Sequence, residues 1–256
     1  DVKQLKPNGG VRRLIGTALV QFQLIDPDLT RRETAVASIA RRSEAAQLAP
    51  LLASIEPEVD AALKARKIQL ANFLSARFAD DPADRITAIN SLATDTSVES
   101  RAVLNQILTT TTGVARIQPS GNIAAIHDPM EAPEVSYSAL VEAGFAPAKQ
   151  TQANIKRALE ANIVDGRIAG FPLAQMDNAE NREAAYAALV DAGVVPVLIT
   201  DTLRDAALTD HVFYDLYEDP NAEITAAAQT ALSSVDTRVA TAQVADLTLD
   251  ALSLAS

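Results

Sequence analysis

The sequence predicts an all-α fold, a stack of helix hairpins followed by a small duplicated helical unit, and three observations carry that expectation. Apolar residues make up 48% of the 256, yet aromatics are only 4%, Trp is absent and alanine recurs in almost every window. That composition suits close-packed helices better than a sheet core. A pattern of seven residues reappears 53 positions along the chain, and a longer one reappears after 49. The length is enough for one large domain or two ordinary ones.

Val11, Leu14, Ile15, Ala18, Leu19 and Phe22 recur at three and four residues, one stripe of a first helix that ends before Asp26-Pro27. Asp26-Pro27-Asp28 opens the next helix, which carries Arg32, Thr34, Ala35, Val36, Ser38, Ile39 and Ala40. Asp81-Pro82 opens its counterpart, with Arg85, Thr87, Ala88, Ile89, Ser91, Leu92 and Ala93 in the matching places. A second apolar helix follows each, through Leu48, Leu51, Leu52 and Ile55 in one copy and Val103, Leu104, Ile107 and Leu108 in the other. Between the copies a longer stripe through Val59, Leu63, Ile68, Leu70, Phe73, Leu74 and Phe78 indicates a further helix. Pro57 lies near its start, where a missing N–H costs nothing. A hairpin cannot bury its apolar face alone, so residues 1–110 are expected to stack into a curved solenoid.

From Thr109 to Pro133 the helical signal stops, and residues 111–135 read as a linker. Within it, Val114 to Ile117 and Ile123 to Ile126 flank Pro119-Ser120-Gly121-Asn122 and can pair as a short hairpin, although two strands alone are marginal. Residues 136–219 hold the second duplication. Tyr137, Ala139, Leu140, Val141, Ala143, Gly144, Pro147 and Thr151 are answered by Tyr186, Ala188, Leu189, Val190, Ala192, Gly193, Pro196 and Thr200. Each copy reads as a helix closed by glycine, a proline turn, a capping threonine and a second helix. The equivalent places of Tyr137 and Tyr186 point to a shared role in a local core. Residues 220–256 form a last helix with Ile224, Ala228, Leu232, Val235 and Val239 on one face, followed by Leu247, Leu249, Leu252 and Leu254.

The charge is −11 overall and uneven: residues 1–110 carry 14 basic and 13 acidic groups, the remainder 8 and 20. An acidic second half repels phosphate backbones, so nucleic acid is not an expected partner. The absence of cysteine excludes a disulfide framework, a thiolate metal site and a Cys nucleophile while leaving the compartment open. His127 and His211 stand in no metal-ligand spacing and read as surface residues, and no phosphate-binding or nucleophile-elbow motif is present. The aspartates at 26, 28, 80, 81 and 84 lie at helix starts, where capping is the better reading than calcium binding. No catalytic residue, cofactor or metal site is therefore expected. The paired basics Arg31, Arg32, Arg41 and Arg42 are the candidate partner-binding residues.

The stretch from Val11-Arg12-Arg13-Leu14-Ile15 through Ile25-Asp26-Pro27-Asp28, with the hairpin behind it, resembles the region ahead of the membrane part of the urea ABC transporter permease, a member of the branched-chain amino acid type permease family. The repeated Tyr-x-Ala-Leu-Val-(Asp/Glu)-Ala-Gly frame resembles a later segment of some members, and the run from Asp246 to Ser256 is similar to the sequence leading into that permease's first core transmembrane helix. The resemblance implies a HEAT-like, extracytoplasmic, non-catalytic domain on the periplasmic side of the bacterial inner membrane. It implies as partners the solute-binding protein and other transporter subunits, with attachment to the membrane through a C-terminal part beyond residue 256. Urea as the transported molecule follows from the resemblance alone. A free HEAT-like adaptor is the alternative expectation. The chain opens on Asp1 with no leader, and its longest apolar runs fall short of the roughly 18 residues that a membrane-spanning helix needs, so the natural protein is expected to be longer.

Overall fold

The computed structural model describes residues 19–254, with side chains as far as residue 243. The predicted first helix lies mostly outside the described residues, which show helical turns over 19–23. The predicted apolar run at Leu247 to Leu254 lies where side chains are not described. In chain order the helices of the first part are α1 (Leu29–Arg41), α2 (Leu48–Ala53), α3 (Ala61–Phe78), α4 (Pro82–Leu92) and α5 (Val98–Ile107). Then come β1 (Thr110–Ala115), β2 (Ile123–His127), α6 (Pro133–Glu142), α7 (Gln152–Ala161), β3 (Ile163–Val164), β4 (Arg167–Ile168) and β5 (Phe171–Pro172). The chain closes with α8 (Ala179–Asp191), α9 (Asp201–Thr209), β6 (Val212–Tyr217) and α10 (Ala222–Leu254).

The all-α expectation is overturned: the structure is 59% helical with 10% strand, and its strands form two three-stranded antiparallel sheets, ordered β1-β6-β2 and β3-β4-β5. The expected hairpin between residues 114–117 and 123–126 does not form either. β6 lies between β1 and β2, with Ile126 facing Tyr214 and His127 facing Phe213. The composition of β6 explains why it becomes the central strand. Residues 212–217 gather Val, Phe, Leu and two of the chain's four tyrosines, a half-buried strand composition that an average of 4% aromatics conceals.

The chain divides into two compact units, one of Asp1–Thr111 with Tyr217–Ser256 and one of Thr112–Leu216. In the first, the repeated residues play repeated parts. Ala35, Val36 and Ile39 of α1 and Ala88, Ile89 and Leu92 of α4 are all buried in one core with Leu51, Leu70, Leu74 and Leu104. Asp28 caps α1 through the Thr30 N–H at 2.9 Å, and Asp81 caps α4 through the Ala83 N–H at 2.9 Å. α3 begins after Asp60, whose carboxylate accepts from the Leu63 N–H at 2.8 Å, so Pro57 precedes the helix and Val59, left off its stripe, is 89% exposed. α10 packs against α4 and α5, burying Ile224, Ala228, Ala231 and Val235 in the same core.

In the second unit the two copies of the 49-residue pattern match closely. Gly144 and Gly193 have φ of +76° and +69°, the left-handed conformation that glycine tolerates best. The next amide reaches back over each helix end, Phe145 N–H to Leu140 O and Val194 N–H to Leu189 O, both at 2.9 Å. Thr151 and Thr200 cap the second helices. The copies do not pack as separate hairpins. α6 of the first lies against α9 of the second, and α7 of the first against α8 of the second. Two small cores result, Tyr137, Leu140, Leu208 and Phe213 in one and Leu159, Ile168, Tyr186 and Leu189 in the other.

Candidate interaction surface

The four arginines singled out in the sequence do not form one patch. Arg31 is exposed and pairs with Asp26 at 3.2 Å; the Asp28 N–H, with Arg31 beside it, holds the Asp26 carboxyl below its usual range. Arg32 is turned inward with its side chain 12% exposed. It grips both oxygens of Glu58 at 3.0 Å and donates to the carbonyls of Asp26 and Pro27 at 2.9 and 3.1 Å. Arg32 therefore has no face left for a partner. Arg41 and Arg42 sit at the other end of α1, about 15 Å away at 1.5 Å per residue. Arg42 is exposed and pairs with Glu44 at 3.3 Å.

Glu58 is shared with a second buried cation. Lys67, fully buried on α3, approaches it at 2.8 Å and donates to the carbonyls of Leu24 and Ser54 at 2.9 and 3.1 Å. Burial by itself would raise the Glu58 carboxyl, but hydrogen bonds from Lys67, Arg32 and the Asp60 N–H outweigh it and bring it down to about 2. Every polar atom in this cluster is satisfied by the chain, which makes it an internal brace. The repeat reuses the device: Arg85 is equally turned in, bonded to Asp219 at 2.6 Å and to the Ala76 carbonyl at 3.1 Å.

The structure brings Arg41 to an open groove of about 720 Å³ between α1 and α3, together with Arg66. Thr34, Ala37, Ala40 and Ala62 line it with short side chains, and Glu33 joins Arg41 on the α1 wall, which leaves the lining one positive charge in excess. Two guanidinium groups beside a shallow floor of small residues suit a carboxylate on an approaching protein surface, since arginine pairs carboxylates in a fixed planar fork. That Arg66 lines the same groove as Arg41 was not legible, because the two lie on different helices and share no local pattern.

The remaining candidates resolve individually. Tyr137 and Tyr186 fill equivalent core positions, each donating from its hydroxyl to a proline carbonyl, Pro147 at 2.8 Å and Pro196 at 2.9 Å. His127 is half exposed, as expected of a surface histidine, and bonds Asp215 at 2.8 Å across the sheet while Thr112 donates to the same carboxylate at 2.7 Å. The Thr112 hydroxyl, and after it His127, hold Asp215 below the usual carboxylate range. His211 departs from the surface expectation. One ring nitrogen bonds the Ala207 carbonyl at 2.7 Å and the other is buried without a partner. The second duplication explains the first contact, since Asn162, at the place of His211, donates to the Ala158 carbonyl at 2.7 Å. Among the described residues no three His, Asp or Glu side chains converge as a metal ion would need, and no helix is long and apolar enough to cross a membrane. Comparisons with protein-family models, curated proteins and solved structures found no match.

Proposed function

We propose that this chain is a non-catalytic extracytoplasmic domain of an ABC transporter permease of the urea-uptake kind, and that it holds the transporter's solute-binding protein by an acidic patch. The family part of this reading is supported by the ordered resemblance of the segments from Val11 to Asp28 and from Asp246 to Ser256. The observation that carries the binding part is the pair Arg41 and Arg66 on one open groove, where they outnumber the single acid Glu33, next to the exposed Arg42. Helices packed side by side, as α1 and α3 are, leave partners a broad, shallow surface of this sort. Attraction between exposed charges sets orientation and encounter more than affinity, so the complex is weak and salt-sensitive.

The test is calorimetry of the domain against the solute-binding protein of the same transporter at low and high salt, with Arg41→Glu/Arg66→Glu as the variant. Arg32 is left unaltered because it braces the core. Weak binding that fades with salt and disappears in the variant is expected. No binding at low salt, or binding indifferent to the reversal, reduces the domain to a passive brace.

A further inference from the structure

A second groove lies on the same unit and has the opposite charge. It runs between α2 and α4 over the end of α3 and encloses about 770 Å³. One wall is apolar: Leu48 and Leu52 stand a turn apart with alanines between and before them, and Leu52 is 48% exposed. Phe78 closes the floor, with the Arg77 guanidinium 4.4 Å from its ring. The facing wall is polar, presenting Asp84, Thr87 and Ser91 from α4, with Asp80 and Asp81 at its end. Asp81 is occupied as the α4 cap, whereas Asp80 and Asp84 are exposed and form no ion pair among the described residues. The neighbouring Arg85 gives them no relief, since it is committed to Asp219.

We propose that this groove docks a basic amphipathic helix from a partner protein, with leucine-class side chains against α2 and Lys or Arg against Asp80 and Asp84. Both walls are helix faces with residues recurring at three and four, so the ridges of a third helix fit between them. Anchors at i, i+3, i+4 and i+7 meet the apolar wall. The two carboxylates, free of ion pairs among the described residues, select the sign of the flanking charge and disfavour anionic lipid and nucleic acid. This inference does not depend on the transporter reading, because it rests on a different groove and on charge of the other sign.

The probe is a fluorescein-labelled synthetic helix of about 14 residues, with Leu at those four spacings and Lys on the adjoining face. It is titrated by anisotropy against the full chain. Saturable binding is expected, weakened about fivefold at low salt in Asp80→Asn/Asp84→Asn, a loss in keeping with two exposed ion pairs. Leu52→Glu, at an exposed position that the core does not need, should weaken it by more than about tenfold. Glu131→Gln, an exposed acid of the other unit, should leave it unchanged. A probe with Ser for Leu should fail to bind. The proposal is overturned by absence of saturable binding, by binding that survives Leu52→Glu, by equal binding of the serine probe, or by an effect of Glu131→Gln matching that of the aspartate pair.

Discussion

At the scale of single residues, Glu58 joins what the sequence keeps apart. It neutralises Arg32 from α1 and Lys67 from α3, and all three side chains are nearly withdrawn from water. A buried cation that loses its anion costs several kcal/mol, so Glu58→Gln, which strands Lys67, should destabilise the first unit by about 3 kcal/mol in denaturant melts at neutral pH. The acid dependence has a definite sign. Glu58 falls from 4.5 to about 2 on folding, so its contribution is complete above the higher value and drains away as pH drops toward the lower one. Melts across that window should show the wild type losing stability more steeply than the Gln variant. Equal slopes would mean that other carboxylates dominate. Nothing near residue 58 in the sequence announces this role, because both cations arrive from other helices. Arg32 illustrates the same limit: paired with Arg31 it reads as a surface strip, whereas its helical phase aims it inward.

At the scale of elements, helix ends were the most legible features, since caps and glycine closures depend on residues within a turn of each other. Gly144 and Gly193 could be placed from sequence, and an added methyl at either would meet nothing within 4 Å. The cost of Ala there is consequently backbone strain alone, about 1 kcal/mol at each site, readable as a shift in the denaturant midpoint. Asn should recover part of it, because its short polar side chain tolerates the left-handed region. If Gly→Ala proves neutral at both sites, the helix closures are not under the conformational demand described. Strands were much less legible. β1 reads as a run of threonines and β6 as six residues at the end of a helical repeat, and each acquires a partner only from across the inserted unit. The exchange of helices is equally non-local. Arg204 of α9 reaches Glu134 of α6 at 2.6 Å, while Ile155 stands at the matching place in the other copy, so one pairing is tied by charge where its counterpart is apolar.

At the scale of the whole molecule, the second unit is an insertion into the first. The chain departs along β1 and returns along β6, and the Glu218 N–H donates to the Thr109 carbonyl at 2.9 Å, so the two crossing points are adjacent. Insertions at such closely spaced termini are well tolerated. Replacing residues 112–216 by an Asn-Gly turn should leave a chain that keeps a strongly helical far-UV spectrum and melts in one cooperative step. A shortened chain without a melting transition would show that the first core depends on the insertion.

The sequence by itself determined the helices and the glycine closures, because each is specified by residues a few positions apart whose faces and caps follow from backbone geometry, and it showed both duplications by direct recurrence of residues. Only the tertiary structure decided the β1-β6-β2 sheet, the inward turn of Arg32, the gathering of Arg41 and Arg66 on one groove and the exchange of helices between copies. Those depend on contacts between segments far apart in sequence, such as the 88 residues separating His127 from Asp215, and no local pattern encodes which distant partner wins.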